Sequence, residues 1–242
     1  QDGGAVFNEA SASVDFRVES SGNANMLVVD GSADKVGIGV AAPSTTLHLD
    51  SGGTPTTIQI DSDTESSINF NDHGGSAQAF KIGTNISGNT GNLEIYDVTD
   101  SALVMSVDGT GAITKPKQPA FHAHKNGSDN NVINLPINSD TVITWVAERF
   151  DQNSDFDLTN NRFVAPVTGK YFLQIHIRFQ EIDISAVYYY LSIVTSNKSY
   201  SFLLDPDFGD LDPEYYTIAF SVLADMDASD TAHILFSQSG GA

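Results

Sequence analysis

Apolar and polar residues alternate along much of this chain, most clearly between Gly169 and Phe179. Tyr171, Leu173, Ile175, Ile177 and Phe179 recur at every second position, with Phe172, Gln174, His176 and Arg178 between them. Successive side chains of a strand project to opposite faces. The pattern therefore predicts a long strand with one face on a core and the other toward water or a partner. The preceding Phe163-Val-Ala-Pro166-Val-Thr-Gly169 predicts a turn, in which Pro166 pre-sets one dihedral and Gly169 supplies a permissive one. Further strands are predicted at 142–146, 187–194, 200–204, 215–223 and 233–236. No long segment sustains the i, i+3, i+4, i+7 spacing of an amphipathic helix, so the fold class is all-β.

The first half carries shorter runs. Leu27-Val-Val-Asp30-Gly31 with Val36-Gly-Ile-Gly39, and Leu103-Val-Met-Ser-Val107-Asp108-Gly109 with Ile113, each read as strand, Asp-Gly turn and return strand. Asp-Gly between apolar runs predicts a tight hairpin, because primed turns need positive φ at their centre. Hairpins this short cannot bury enough surface alone, so they must stack on neighbours or on copies from other chains. At Thr114-Lys115-Pro116-Lys117-Gln118-Pro119 two prolines remove ladder donors and interrupt the pattern. The expected domains are a hairpin-rich shaft at 1–115 and a sandwich at 116–242.

Composition narrows the class. The chain has 242 residues, ample for a core, and no cysteine, so neither disulfides nor thiolate metal sites can hold it. No apolar stretch reaches membrane-spanning length, and membrane insertion is not expected. The net charge is −20, with both halves acidic and the 11 Lys and Arg dispersed. Phosphate binding requires clustered cations, which argues against nucleic acid as a partner.

Two resemblances give the pattern a context. Pro119-Ala-Phe121 and the Phe-x-Ala-Pro-x-x-Gly-x-Tyr run at 163–171 make region 116–240 resemble the globular head of the complement q and tumour necrosis factor superfamily, a trimeric jelly roll. Leu173 stands where that family usually has an aromatic residue. Its closing Phe-x-Gly strand is absent after Gly240, so a chain continuing past Ala242, or a replaced strand, is expected. Val36-Gly-Ile-Gly39-Val-Ala-Ala-Pro43-Ser-Thr-Thr-Leu47-His-Leu49 resembles a segment of bacteriophage tail-fibre and related trimeric surface proteins, and 15–31 resembles the hairpin repeats found with it. Together these resemblances imply a homotrimeric phage fibre protein on the virion surface. Its β-hairpin-rich trimeric shaft would carry a C-terminal jelly-roll head, in contact with other virion proteins and with a host cell-surface glycan or protein. Alternatives are a polysaccharide-depolymerising tailspike and a secreted bacterial adhesin.

Candidate chemistry is sparse. Asp207, Phe208, Asp210 and Asp212 lie in an acidic loop and are the receptor-binding candidates. Asp205 and Asp207 offer the oxygen ligands that Ca2+ takes, as do Asp151, Asp155 and Asp157, although neither loop has a dedicated calcium-loop spacing. His122 and His124 flank Ala123 on a predicted strand and share a face, so three copies on a trimer axis could offer their nitrogens to one transition metal. Tyr188 and Tyr190 share a face suited to an interface between subunits. No nucleophile elbow, zinc helix, phosphate loop or dinucleotide fingerprint is present, and no enzymatic activity is expected.

Overall fold

Strand pairing organises the chain from Phe16 to Gly240, and among the described residues every regular element is a strand. The computed structural model describes residue 7 and residues 12–75, 77–125, 134–209 and 212–241. The chain divides into two units, Gln1–Asp63 and Thr64–Ala242. The predicted joint at 114–119 lies within the second unit, between a five-stranded sheet and a sandwich.

The first unit is a four-stranded sheet of β1 (Phe16–Val18), β2 (Leu27–Asp30), β3 (Lys35–Ile38) and β4 (Leu47–Leu49), in that order. β1, β2 and β3 pair antiparallel, whereas β3 and β4 pair parallel, with Val36 opposite Leu47 and Ile38 opposite Leu49. The two glycines of the Val-Gly-Ile-Gly segment permit this close crossing. Gly39 has φ +81, and a Cβ there would lie 1.8 Å from the Asp50 carbonyl oxygen, far inside contact distance.

The second unit begins with a five-stranded antiparallel meander of β5 (Ser66–Asn71), β6 (Ala79–Thr84), β7 (Leu93–Asp97), β8 (Ala102–Val107) and β9 (Ile113–Thr114). Its register sets Ile68 opposite Ile82, itself opposite Ile95, Phe70 opposite Phe80, and Leu93 opposite Val107, itself opposite Ile113. One face is therefore almost wholly apolar, and it is the open one. Phe70 is 57 % exposed and Ile113 60 %. Part of the polar face is covered instead, with Glu94 fully buried and Ser106 nearly so. The first unit repeats the inversion: Val18, Val29, Ile38 and Leu47 are exposed, while Val28, on the other face, is buried.

The Asp-Gly turns form hairpins, but not with the predicted backbone. Neither Gly31 nor Gly109 has positive φ; the left-handed residues are Asp34 and Gly111. The aspartate is what builds each turn. Asp30 Oδ1 accepts from the N–H groups of Ser32 and Ala33, and Asp108 Oδ1 from those of Thr110 and Ala112. These side-chain bonds replace the two-residue primed turn with a longer loop.

The described residues between 116 and 241 build a two-layered β-sandwich of jelly-roll type. One layer is continuous: β13 (Phe156–Asp157), β14 (Arg162–Val164), β19 (Thr231–Gly240), β16 (Ala186–Thr195) and β17 (Ser199–Leu204), with β11 (Thr141–Val142) also on β19. The other consists of two separate pairs, β10 (Phe121–His124) with β12 (Ala147–Asp151), and β15 (Gly169–Gln180) with β18 (Tyr215–Met226). Leu173 and Ile175 of β15 bury against Leu191, Ile193, Phe163 and Phe236, while Phe172 stays 68 % exposed. The alternation at 171–179 thus places its apolar face as expected.

Two expectations are corrected. The strand predicted at 142–146 is a crossover between the layers. Ile143 still donates to Ile234 in one layer, Trp145 donates to Asn161 Oδ1 at 2.6 Å, and Val146 donates to His124 in the other. Gly169 is likewise no left-handed turn residue. It opens β15 with ordinary strand backbone, paired with Met226. The turn before it is fixed instead by the Tyr171 hydroxyl, which donates to the Val167 carbonyl at 2.5 Å.

Candidate functional site

The acidic loop after β17 has a defined shape. Pro206 is buried, Phe208 N–H donates to the Pro206 carbonyl at 2.7 Å, and Asp207 N–H to Asp205 Oδ1 at 3.3 Å. Phe208 then turns back onto Tyr216 of β18, with ring centroids 5.0 Å apart. Asp212 accepts from Ile184 N–H at 2.9 Å, which ties the loop to the β15–β16 connection. Asp210 lies outside the described residues.

Around this loop the sandwich presents aromatic and charged groups together. Arg178 sits over the Tyr215 ring, 5.2 Å from its centroid. Tyr215 is more than half exposed, and a hydrogen bond with Glu214 pushes its hydroxyl pKa up. Exposed rings beside carboxylates and a guanidinium suit the contact of a sugar face or a protein surface. The Arg178–Tyr215 pair escaped the sequence reading, although Arg178 lies on the outward face of the alternation.

The metal candidates fall in separate places. His122 and His124 on β10 share a face, their rings 6.0 Å apart, although a bulge lies between His122 and Ala123. His124 Nδ1 lies 3.0 Å from the Lys125 carbonyl. Asp205 and Asp207 follow β17, the far edge strand of the other layer. Among the described residues no group of three or more His, Asp or Glu gathers to hold a metal ion.

In the 151–157 loop the carboxylates serve the loop itself. Asp151 accepts from the N–H groups of Asp155 and Phe156, and Asp157 from that of Asn160. Asp155 is buried, and burial pushes its carboxyl up despite the bond from Asn153, with Asp151 adding to the rise. With Asp151 and Asp157 engaged by backbone donors and Asp155 raised by burial, this loop is a poor start for a Ca2+ site.

Tyr188 and Tyr190 do share a face, with centroids 4.8 Å apart, both half-buried. The intervening Tyr189 is core, and its hydroxyl donates to the Asp183 carbonyl at 3.1 Å. Two further features had only a faint sequence signal. Phe172 pairs across strands with Leu223, and both are about two-thirds exposed. A cleft of about 400 Å3 lies between the start of β10 and the start of β15, with Phe121, Phe163, Tyr171 and Leu173 in its lining.

No known family profile matches this chain, and no curated protein matches it. Among solved structures, the globular domain of a zebrafish complement 1qA protein is similar over 52 % of this chain and 83 % of its own, at 17 % identity and a TM-score of 0.34.

Proposed function

We propose that this chain is a homotrimeric structural fibre protein of a bacteriophage virion, whose jelly-roll head binds a host cell-surface glycan or protein. It acts by binding without turnover, at the virion surface and in contact with other virion proteins. Three heads held together convert weak single contacts into avidity through effective concentration.

The observation that carries this reading is the inverted sheet at 66–114, whose open face holds Ile68, Phe70, Phe80, Ile82, Leu93 and Ile113. An apolar face of that extent on a five-stranded sheet marks an interaction surface. Copies of the same chain supply an identical apolar face, which cyclic association buries without leaving an open end. The phage context comes from the resemblance of 36–49 to tail-fibre segments. Binding through the head fits the Phe208, Tyr215, Tyr216 and Arg178 surface with its acidic rim.

Sedimentation equilibrium of the purified chain tests the assembly, with an expected mass of three times 25.8 kDa. A monomer at micromolar concentration would rule it out. Binding of the trimer to host cells, lost in a Tyr215→Ala and Phe208→Ala double variant that keeps the trimer mass, tests the head.

A further inference from the structure

β10 carries two of the six histidines of the chain, one residue apart. A regular strand would set them on one face with Cα atoms about 6–7 Å apart. The ladder to β12 shifts between them: His122 pairs with Phe150 and Ala123 with Glu148, which leaves Arg149 without a register partner. A bulge re-aims side chains locally, and here the two rings stand 6.0 Å apart at an interplanar angle of 70°. Two imidazoles bound to one tetrahedral ion through metal–nitrogen bonds of about 2 Å hold their ring centres roughly 5 Å apart. The difference is about 1 Å at the tip of each side chain, a rotation well inside one rotamer well. The strand need not move.

His124 is already set for ligation. Its Nδ1 lies 3.0 Å from the Lys125 carbonyl oxygen. A carbonyl only accepts, so Nδ1 carries the proton in this bond, and the lone pair of the neutral ring is on Nε2. A histidine that binds a metal commonly has its other ring nitrogen fixed in this way, because the bond selects the tautomer and aims the ring. His122 is exposed, and Phe150 stands edge-on to its ring at 6.1 Å and 82°. That contact flanks the His122 ring on the side of β12.

Charge and donor type then select the ion. Lys125 follows His124, and Glu148, Arg149 and Asp151 lie on β12. Lys125 and Arg149 oppose a cation, Glu148 and Asp151 favour one, and Asp151 is engaged by the N–H groups of Asp155 and Phe156. With charge so nearly balanced, the two imidazoles decide. Nitrogen donors suit Zn2+, Cu2+ and Ni2+, whereas Ca2+ and Mg2+ take oxygen.

We propose that His122 and His124 chelate one divalent transition-metal ion on each chain, His124 through Nε2. Two side chains fill two positions of a four-coordinate ion, and the others are left to water or to a donor on a bound partner. The site is built from one strand of one chain and does not depend on the trimer.

The probe is Zn2+ titrated calorimetrically into the full chain, free of any affinity tag, with Ca2+ in excess. One ion should bind per chain. His122→Ala and His124→Ala should each weaken binding at least roughly tenfold, and His176→Ala, on the exposed face of β15, should leave it unchanged. Electron paramagnetic resonance of the native chain with Cu2+ should show two coupled imidazole nitrogens, a readout that needs no variant. No Zn2+ binding at about 1 mM, native affinity in either β10 variant, or a single coupled nitrogen would each overturn the proposal. One ion for every three chains would overturn it too, since the ion would then be shared between copies and not held by one strand.

Discussion

At the scale of single residues, carboxylates do more structural work here than their number suggests. Glu94 is the extreme case, fully buried on β7 where the loop from β6 bonds it. Burial pushes its carboxyl up, but Ser87 donates to it through N–H at 2.7 Å and through its hydroxyl at 2.5 Å, and Asn89 adds a third bond. The bonds outweigh burial and hold the group below its ordinary 4.5. A carboxyl lowered on folding contributes stability that is full above its unfolded value and is lost as pH falls through the folded one. Acidification below 4.5 should therefore lower the melting temperature of the native chain more steeply than that of Glu94→Gln. At neutral pH the variant should itself be less stable by about 1–3 kcal/mol, because its amide presents donors to a loop that already donates. Thermal unfolding at several pH values checks both, and parallel pH profiles would show that the carboxylate carries no such load.

At the scale of elements, the alternation rule located strands well and turns poorly. Strands at 171–179, 187–194, 200–204 and 215–223 were legible because one face of each buries in the sandwich, and period-two patterning records that burial directly. The segment 142–146 reads as apolar and β-branched for a different reason: it crosses from one layer to the other, burying Ile143 and part of Trp145 on the way while Val142 and Val146 stay exposed. Glycine was equally ambiguous from sequence. Gly169 seemed to need freedom it does not use, while Gly39 needs it twice over, for its φ and for the Asp50 carbonyl. Gly169→Ala should leave stability within about 0.5 kcal/mol, since a Cβ there meets only the edge of Tyr171 at 3.9 Å. Gly39→Ala should separate β3 from β4 and cost more than the roughly 1 kcal/mol of an ordinary glycine replacement. Chemical denaturation of the two variants side by side decides this, and equal midpoints would contradict the crossing described for 36–50. Of the candidate site, the acidic loop was visible as composition. Its aromatic companions and the Phe163 cleft were not, because they depend on which strands the sandwich brings together.

At the scale of the whole molecule, two large effects oppose each other. A net charge of −20 on each chain resists association of copies, whereas the open faces at 16–49 and 66–114 favour it. Repulsion between exposed charges falls off over about 8 Å at physiological salt, while apolar burial at about 25 cal/mol per Å2 does not depend on screening. Burial should win, and added salt should strengthen the assembly further. The face at 66–114 can be tested without harming its own sheet. Phe70 and Ile82 point outward, so lysine at either position leaves the β5–β6 ladder intact. Each loses roughly 1.5–3 kcal/mol of interface burial and introduces a charge that must be desolvated on association. Phe70→Lys with Ile82→Lys should sediment as a monomer with an unchanged β-sheet circular dichroism spectrum, despite a less negative chain that would by charge alone associate more readily. A double variant that keeps the native mass would mean that this face is covered by something other than copies of the chain.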